Sequence, residues 1–392
     1  MFNVKTYNAI SDVGLTRFST DSYAVGPDVN APEAILLRSQ KLHGLAVPDS
    51  LLAVARAGAG VNNIPVEDYT EKGVVVFNTP GANANSVKEL VLAGMLLASR
   101  GIVPGLAYSQ SLVDLEDAAA MNALLEKQKK QFAGSELRGK TLGVIGLGAI
   151  GSLVADTALA LDMDVIGYDP AISVEAAWRL QSRVQRAENI NALIARSDYI
   201  TLHVPAIDAT KHMINADTLA QARSGAVLLN FARGGVVDAP AVVRALDSGA
   251  LRTYVCDFPE PGLLGRADVL AMPHIGASTR EAEENCARMA VDQLMDYLEN
   301  GNIRNSVNFP AIGMHRESCC RLTFANTNVA GVLGDVLSVL KHFEVNVADM
   351  MNKSRGDVAY NILDIDSDPP SDMLDELRAL PHVFALRVIC DC

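Results

Sequence analysis

The stretch KTLGVIGLGAIGSLVADTALALDMDVIGYDP, residues 140–170, decides the fold of this chain. An apolar run of strand length, Leu142 to Ile145, is followed by three glycines in G-x-G-x-x-G spacing. A helical segment, Ser152 to Leu161, and a second strand, Val165 to Tyr168, come next. This succession of strand, glycine turn, helix and strand is the context that a dinucleotide-binding fingerprint requires. The stretch therefore predicts a nucleotide-binding βαβ unit.

Each glycine of the turn has its own expected role. Gly146 permits a tight turn, Gly148 lets a pyrophosphate approach the backbone, and Gly151 lets helix and strand pack closely. The phosphates would lie at the helix N-terminus, where unpaired N–H groups and the helix dipole favour negative charge. Asp169 follows Gly151 by 18 residues, and a carboxylate there binds the adenosine ribose and repels the 2′-phosphate of NADP. The predicted cofactor is NAD; the alternative is a glycine-rich turn in an unrelated αβ unit.

Length, charge and hydropathy narrow the class of protein. The chain has 392 residues, 49% of them hydrophobic, which predicts two or three domains. A net charge of −13 argues against a non-specific nucleic-acid binder. No apolar run approaches the roughly 18 to 20 residues of a membrane span, and the first residues, MFNVKTYNAI, lack the features of a signal peptide. We expect a cytoplasmic protein that binds neither nucleic acid nor membrane.

The cysteines are expected to be free thiols in a reducing compartment. Neither the adjacent pair nor the C-terminal C-x-C pair has zinc-ribbon or redox-motif spacing. The alternative is metal capture at the terminus by Cys390 and Cys392. The six cysteines are Cys256, Cys286, Cys319, Cys320, Cys390 and Cys392.

Residues 1–98 are predicted to form the first segment of a small α/β domain. A nearly all-apolar helix, Val87 to Ser99, must be buried. Ser86, with Glu89 three residues later, reads as a capping box at its start. A polar helix is predicted at residues 114–133. The strands predicted in this segment are Ala34–Leu37, Leu52–Ala55 and Val74–Phe77.

Residues 99–278 are predicted to form the nucleotide-binding domain. Strands alternate with helices after the glycine turn, which is typical of a doubly wound parallel sheet. The amphipathic stretch Thr279 to Asn300 begins a return segment, residues 279–308, that completes the first domain. Residues 317–392 then follow the order βαββαβ, which predicts a ferredoxin-like unit.

Three ionisable residues follow predicted strands of the nucleotide-binding domain. Arg233 follows LLNF, Glu260 follows TYVCD, and His274 follows MP. Ligands of open α/β sheets bind at the carboxyl ends of the strands. A guanidinium can hold a carboxylate in a bidentate fork, and an imidazole can take a hydroxyl proton while a neighbouring carboxylate raises its pKa. Together they predict hydride transfer on a 2-hydroxy acid, although each alone could be an ordinary surface residue.

Several motifs resemble the D-isomer-specific 2-hydroxyacid dehydrogenases. The resemblance covers residues 1–308 and implies a Rossmann-like NAD-binding domain inserted in a flavodoxin-like substrate-binding domain. The C-terminal unit resembles an ACT domain, a ligand-sensing module of amino-acid biosynthesis. The motifs are RAGAGVNNI at 56–64, NTPGANANSVKEL at 78–90, GLGAIG at 146–151, NFARGGVVD at 230–238, DFPEP at 257–261 and PHIGAST at 273–279.

The resemblance implies roles for matching positions. Arg233, Glu260 and His274 carry over as the catalytic set. Arg56, Ala57 and Gly58 match the substrate loop, in which the arginine binds a phosphate and backbone amides bind the carboxylate. The implied cofactor-binding residues are Thr79, Gly146, Gly148, Ala149, Ile150, Gly151, Asp169, Thr201, Val204, Pro205, Ala232, Asp257, Gly276 and Ala277.

The implied reaction is NAD-dependent oxidation of 3-phosphoglycerate to 3-phosphohydroxypyruvate, because the ACT-like tail and Arg56 favour the family member that acts on this substrate. The alternatives are glycerate, hydroxypyruvate or D-lactate as the substrate, or a non-catalytic NAD-sensing protein on the same fold. The resemblance also implies a homo-oligomer, either a dimer or a tetramer.

The tail carries a possible effector site. Asn326, Asn328 and Asn346 are predicted near the first tail helix and on the following strand. Amide side chains supply donors and acceptors for an amino acid, and the resemblance implies L-serine as the effector. The alternative is that these asparagines only cap and turn the chain.

Overall fold

The computed structural model describes residues 1–318 and 320–390, with the backbone alone at Glu175. The chain divides into two units. The first consists of Met1–Asn83 and the chain from Arg280 onward, and the second consists of Ala84–Thr279. Cys319 and Cys392, which the sequence analysis considered, lie outside the described residues.

The N-terminal segment of the first unit is a five-stranded parallel sheet with two short helices. Its elements are β1 (Phe2–Thr6), α1 (Asp12–Leu15), β2 (Tyr23–Gly26), β3 (Ala34–Leu37), β4 (Ala53–Arg56), α2 (Val66–Glu71) and β5 (Val75–Phe77). The strand order β2-β1-β3-β4-β5 is that of flavodoxin-like sheets. Strand β3 reads AILL and is buried throughout, because both faces of a parallel sheet are covered.

The second unit alternates strands and helices around a seven-stranded parallel sheet. Its elements are α3 (Ala84–Ser99), α4 (Ile102–Gln110), α5 (Ala118–Gln128), β6 (Thr141–Ile145), α6 (Ala149–Ala160), β7 (Asp164–Tyr168), α7 (Val174–Arg179), β8 (Gln185–Arg186), α8 (Ile190–Arg196), β9 (Tyr199–Leu202), α9 (Ala216–Leu219), β10 (Ala226–Asn230), α10 (Ala239–Asp247), β11 (Leu251–Cys256) and β12 (Val269–Ala271). The strand order β12-β11-β10-β9-β6-β7-β8 has the reversal beside β6 that characterises Rossmann-like sheets. The doubly wound parallel sheet predicted from the sequence is confirmed.

The first unit resumes with a long helix and ends in an antiparallel sheet. The elements are α11 (Arg280–Asn300), β13 (Cys320–Thr327), α12 (Val332–His342), β14 (Val347–Arg355), β15 (Val358–Ile365), α13 (Ser371–Ala379) and β16 (Val383–Cys390). Strands β14-β15-β13-β16 pair antiparallel in that order, and the element order is the predicted βαββαβ. One part of this sheet packs on α12 and α13 through Leu322 and Leu363. Another part, including Tyr360, joins the core that contains Phe77 of β5.

A buried ion pair holds the start of this antiparallel sheet. The Arg321 guanidinium contacts the Asp364 carboxylate through two hydrogen bonds, of 2.6 and 2.9 Å. The two side chains are 0% and 1% exposed. Arg321 also donates to the carbonyl oxygens of Asn300, Met314 and His315, so its remaining donors are satisfied. Removing one partner of such a pair is expected to cost about 3–5 kcal/mol because the other charge stays buried.

The boundary after the first segment differs from the sequence prediction. The sequence places it at residue 98, whereas the structure places all of α3 in the second unit. The reason is the apolar face of this helix, because Val87, Val91 and Met95 pack into the same core as Leu142 of β6.

The predicted capping box at Ser86 is wrong. Helix α3 begins two residues earlier, at Ala84, so Ser86 lies within the helix. Its hydroxyl donates to the carbonyl oxygen of Gly276 at 2.7 Å. The Glu89 carboxylate accepts from the Asn85 side chain instead of the backbone. A tertiary partner for the serine therefore replaced the local cap.

The prediction that all cysteines are free thiols is also wrong. Cys320 and Cys390 form a disulfide, because β13 and β16 pair in a register that places these two residues opposite each other. Cys256 and Cys286 are free and buried.

Within the described residues, no single helix is long and apolar enough to cross a membrane, although α3 and α4, which meet at a bend of 71°, satisfy length and composition together.

Candidate active site

The glycine turn between β6 and α6 leaves open space at one of its three glycines. Gly146 has φ +90°, and a Cβ there would lie 2.6 Å from the carbonyl oxygen of His203. A Cβ on Gly151 would lie 1.9 Å from the carbonyl oxygen of Gly146. At Gly148, no atom lies within 4 Å of a Cβ. Helix α6 begins next to it, and the first N–H groups of a helix have no partner inside the helix. The turn can therefore accept a phosphate at Gly148.

Asp169 is fixed beside this turn. It lies directly after β7, and its Oδ2 atom accepts a hydrogen bond of 2.9 Å from the N–H group of Leu147. Its Oδ1 atom accepts one of 3.0 Å from the N–H group of Ala171. The carboxylate is half-buried, and each oxygen can accept a further bond. This position suits the predicted contact with a ribose.

Arg233 and His274 lie against the same aromatic ring. The Arg233 guanidinium lies 5.5 Å from the ring centroid of Phe258, and the His274 ring centroid lies 4.6 Å from it. Both polar side chains are exposed, and Phe258 is half-buried. A guanidinium and an imidazole therefore lie against one aromatic ring. Sequence reasoning missed Phe258, and the only signal was an aromatic residue directly after a buried strand and an aspartate.

A carboxylate holds the backbone turn that carries His274. His274 has φ +56°, a left-handed conformation that is uncommon outside glycine. The two N–H groups that follow it, those of Ile275 and Gly276, donate to the two oxygens of Asp257 at 2.8 and 2.7 Å. Asp257 is 2% exposed. The resemblance assigned Asp257 to the cofactor, but here both of its oxygens accept the amides of the His274 turn.

The loop that carries Arg233 is held by a buried amide. Asn230, at the end of β10, accepts from the N–H group of Ala232 at 3.1 Å and donates to the carbonyl oxygen of Arg233 at 3.0 Å. It also donates to the Tyr254 hydroxyl, and burial raises the pKa of that phenol. The Arg233 guanidinium itself donates to the carbonyl oxygen of Ala232 at 2.7 Å. Because Asn230 is fully buried, it fixes the loop without offering a surface to a ligand.

Glu260 lies near this group without a hydrogen bond to the imidazole. Its side chain is half-buried, and one of its oxygens lies 3.6 Å from where a Cβ of Gly234 would be. Across residues 1–318 and 320–390, no hydrogen bond joins Glu260 to His274. The pairing of these two residues stays a prediction.

Two threonines assigned to the cofactor are fully buried. Thr201, on β9, shares a hydrogen bond of 2.9 Å with Nε2 of His203. Burial lowers the pKa of His203 to about 3, so this imidazole is neutral. Thr79 lies in the first unit near Cys286, whose thiol pKa is raised by burial. The Thr79 hydroxyl is buried and has no hydrogen-bond partner among the described residues. Because both threonines are fully buried, neither hydroxyl offers an exposed contact.

The other predicted cofactor residues differ in exposure. They all lie in the second unit, in the glycine turn and in the loops after β9, β10 and β12. Ala149 and Pro205 are exposed, Ile150, Val204 and Ala277 are half-buried, and Ala232 and Gly276 are buried.

In the predicted substrate loop after β4, the amides that were expected to bind a carboxylate already have acceptors in the protein. The N–H groups of Ala57 and Gly58 already donate to the carbonyl oxygens of Leu37 and Arg56, both at 2.8 Å. They cannot serve as carboxylate donors in this conformation, which corrects the prediction. The next two N–H groups, those of Ala59 and Gly60, have no acceptor among the hydrogen bonds of the described chain.

Arg56 contributes to the shape of this loop. Its Nε atom donates to the carbonyl oxygen of Arg38 at 2.9 Å, and its Nη1 atom donates to the carbonyl oxygen of Gly60. Its Nη1 atom also lies 2.9 Å from the position that a Cβ of Gly58 would take, so a larger residue there would displace the guanidinium. The sequence predicted the positive charge of this loop but not that the arginine shapes its backbone.

Comparisons with known proteins identify the family. Residues 105–276 match the NAD binding domain of the D-isomer specific 2-hydroxyacid dehydrogenases. The chain is 32% identical over 352 residues to D-3-phosphoglycerate dehydrogenase of Haemophilus influenzae, across 86% of this chain and 81% of that protein. This chain belongs to the D-isomer-specific 2-hydroxyacid dehydrogenase family. Its second unit contains the family's NAD-binding domain, as the glycine turn predicted.

Two further similarities describe the extent of the match. D-3-phosphoglycerate dehydrogenase of Methanocaldococcus jannaschii is 40% identical over 270 residues, across 67% of this chain and 49% of that protein. The chain thus spans about half the length of such curated relatives. The crystal structure of the TT0316 protein from Thermus thermophilus superposes with a TM-score of 0.63 at 26% identity, across 78% of this chain and 100% of that one.

The predicted effector residues do not form one cluster of available amides. Asn326 is buried and donates to the carbonyl oxygen of Thr327 at 2.7 Å, while its oxygen accepts from Asn361 at 2.8 Å. The Asn328 amide donates to the carbonyl oxygen of Gly356 at 3.0 Å. Asn346 is exposed. Asn326 and Asn328 therefore fit the alternative, in which these asparagines only cap and turn the chain. Asn346 remains the candidate for binding a ligand.

Proposed function

We propose that this chain is an NAD-dependent dehydrogenase that oxidises 3-phosphoglycerate to 3-phosphohydroxypyruvate, the first step of L-serine biosynthesis. One observation carries the proposal: Arg233 and His274 lie against Phe258 at the strand ends of a unit that matches the family's NAD-binding domain. The similarity to D-3-phosphoglycerate dehydrogenases supports the choice of substrate.

The residues of the second unit suit NAD. The open backbone at Gly148 and the N-terminus of α6 would hold the pyrophosphate, and Asp169 would hold the adenosine ribose. The Asp169 carboxylate would also repel a 2′-phosphate, which supports NAD over NADP. When bound, NAD supplies the hydride acceptor.

His274 would act as the general base. As the hydride leaves C2 of the substrate, the imidazole takes the proton of the C2 hydroxyl. Arg233 would hold the carboxylate of the substrate through two parallel hydrogen bonds. Glu260, which is half-buried nearby, would approach His274 once substrate is bound and stabilise the imidazolium. Asp257 positions the base through the backbone and does not touch the reacting atoms.

The first unit would supply further substrate contacts. We assign the unpaired N–H groups of Ala59 and Gly60 to a substrate oxyanion, in place of those of Ala57 and Gly58. Arg56 would attract the phosphate while its Nε and Nη1 atoms hold the loop. On this basis we propose that the first unit includes the substrate-binding domain of the chain.

Steady-state kinetics with NAD and three acids tests this function. We expect turnover of 3-phosphoglycerate to exceed that of D-glycerate and D-lactate. Arg56→Ala should raise KM for 3-phosphoglycerate far more than KM for D-glycerate, because only the first carries a phosphate. Arg304→Ala, which removes an exposed arginine paired with Asp296, is the matched control. Equal use of all three acids by the wild type would contradict the substrate, and no NAD reduction with any would contradict the activity.

The C-terminal βαββαβ unit is proposed to be an ACT-like regulatory domain of a homo-oligomer, a dimer or a tetramer, with L-serine as its effector. The antiparallel order β14-β15-β13-β16 and the exposed Asn346 support this. Calorimetric titration should show L-serine binding to the wild type and weaker binding to Asn346→Ala. If the wild type does not bind L-serine at millimolar concentration, the unit has another role.

A further inference from the structure

Two cysteines and an aspartate meet at one end of the C-terminal sheet. Cys320 is the first residue of β13 and Cys390 is the last residue of β16, and their Cα atoms lie 4.3 Å apart. Asp368 follows β15, and its Oδ1 atom lies 2.9 Å from the sulfur of Cys320. The ligand atoms of these three residues all lie within 4.8 Å of one another. None of them takes part in the chemistry proposed above.

The disulfide does not explain why the Asp368 carboxylate lies so close to the sulfur of Cys320. At 2.9 Å, the oxygen and the sulfur are at hydrogen-bond distance. A disulfide sulfur carries no hydrogen, so in the oxidised pair this contact has no donor. A thiol would supply a donor, and a cation bound to both atoms would attract a thiolate and a carboxylate together. The position of Asp368 therefore suits the reduced state of this cysteine pair.

We propose that the reduced pair, together with Asp368, binds a zinc ion. Two thiolates and one carboxylate are ligands that Zn²⁺ accepts, and a water molecule would complete a tetrahedral site. Cys320 is buried whereas Cys390 and Asp368 are exposed, so an ion can reach the site from solvent. The same two sulfurs form either the disulfide or the metal site, so the two states exclude each other.

A dithiol reductant can convert the disulfide into the two thiols that bind zinc. The dithiol supplies two electrons and two protons, the bond between the two sulfurs breaks, and the reductant becomes a disulfide. Zinc then displaces one proton from each thiol to form two zinc–sulfur bonds. Oxidation by a disulfide-containing partner reverses both steps and releases the ion.

The site is adjacent to residues that tie β16 to the long helix α11. Arg387, three residues before Cys390, donates to the carbonyl oxygens of Tyr297 and Leu298 at 3.1 and 2.8 Å. Arg316 donates to the carbonyl oxygen of Ile389 at 3.1 Å. The cysteine pair, whether oxidised or reduced, therefore lies beside the hydrogen bonds that join β16 to α11 and to Arg316.

Cobalt titration of the full chain tests the proposal. The chain is reduced with a phosphine, freed of metal by a chelator and titrated with Co²⁺ without oxygen. We expect thiolate-to-cobalt charge-transfer absorption that saturates at one Co²⁺ per chain and disappears when Zn²⁺ is added. The oxidised chain should show no such absorption. No absorption from the reduced wild type at micromolar Co²⁺ would overturn the proposal.

Variants decide which residues bind the ion. Cys390→Ser should abolish the absorption, and Asp368→Asn should weaken cobalt affinity by at least about 10- to 100-fold, the loss already seen for outer-shell partners. Cys286→Ser, which changes a buried free cysteine elsewhere, is the matched control and should bind normally. Circular dichroism checks that each variant is folded. Unchanged binding by Cys390→Ser, or a loss confined to Cys392→Ser, would overturn the assignment.

Discussion

At the scale of single residues, the backbone of His274 is the strongest sign of function in the second unit. A non-glycine residue at φ +56° is held in a conformation that persists only where its surroundings fix it. Asp257 does so through the next two amides, and Phe258 supports the ring. The backbone at His274, the proposed base, is therefore held in place by Asp257.

Asp257→Ala should lower kcat. The substitution leaves two N–H groups without their acceptor, which costs about 1–3 kcal/mol and frees the turn. Asp257→Asn keeps one acceptor oxygen and should give an intermediate kcat. The measurement is kcat at saturating NAD and 3-phosphoglycerate for the wild type and both variants. Full turnover in Asp257→Ala would show that the turn does not need this carboxylate.

Because His203 is buried as a neutral ring, we expect the free energy of unfolding to fall in weak acid. Its pKa is about 3 in the folded chain because it is buried, below the ordinary value of 6.5. Between these values the unfolded state binds more protons, so stability falls as the pH falls below 6.5. From pH 7 to pH 5 this group should cost about 2 kcal/mol.

Urea unfolding at pH 7 and pH 5 measures this effect. His203→Gln should reduce the loss of unfolding free energy between the two pH values, whatever its effect at pH 7. His212→Gln, which changes an exposed histidine of the same unit, is the control and should leave the loss unchanged. The same pH dependence in wild type and His203→Gln would contradict burial of a neutral ring.

At the scale of elements, two glycines of the turn between β6 and α6 are needed for different reasons. Gly151 is needed for folding, and Gly148 is expected to be needed for binding NAD. Gly148 has φ −70° and open space around it, so alanine fits the folded chain. Gly151→Ala would place a Cβ 1.9 Å from a carbonyl oxygen, and overpacking of this kind costs about 1–3 kcal/mol.

We expect Gly148→Ala to keep the melting temperature of the wild type and to weaken NAD binding by about tenfold or more, a loss of about 1.4 kcal/mol. Gly151→Ala should lower the melting temperature instead. Calorimetry of NAD binding and thermal unfolding separate the two effects. Wild-type NAD affinity in Gly148→Ala would place the pyrophosphate elsewhere.

The bounds of a strand or helix could be predicted from the sequence where a local pattern of apolar and polar residues determines them. Strand β3 was located to the residue, because a buried apolar run between polar turns leaves little choice. The start of α3 was missed because the Ser86 hydroxyl has its partner at Gly276, 190 residues away. The pairing of Cys320 with Cys390 depends on the register of β13 and β16, which no local pattern reveals.

At the scale of the whole molecule, the sequence predicted which residues share an edge of the sheet better than it predicted their hydrogen-bond partners. Arg233 and His274 both lie against Phe258, as expected of residues at neighbouring strand ends of a parallel sheet, and their catalytic roles stay a prediction. The contact of Asp257 with the His274 turn depends on hydrogen bonds between segments 18 and 19 residues apart, so the sequence alone could not show it. Which amides of the loop after β4 lack an acceptor within the described residues depends on the conformation of that loop, which no motif reveals. The second unit nevertheless has the Rossmann-like fold that the glycine turn indicated.

The most direct test of the account is the turnover of His274→Ala with NAD and 3-phosphoglycerate. We expect kcat for NADH formation to fall by ~10²- to 10⁴-fold, the usual loss for a positioned base. The dissociation constant for NADH, measured by fluorescence titration, should stay close to that of the wild type. A variant that turns over at nearly the wild-type rate would show that His274 does not accept the substrate proton.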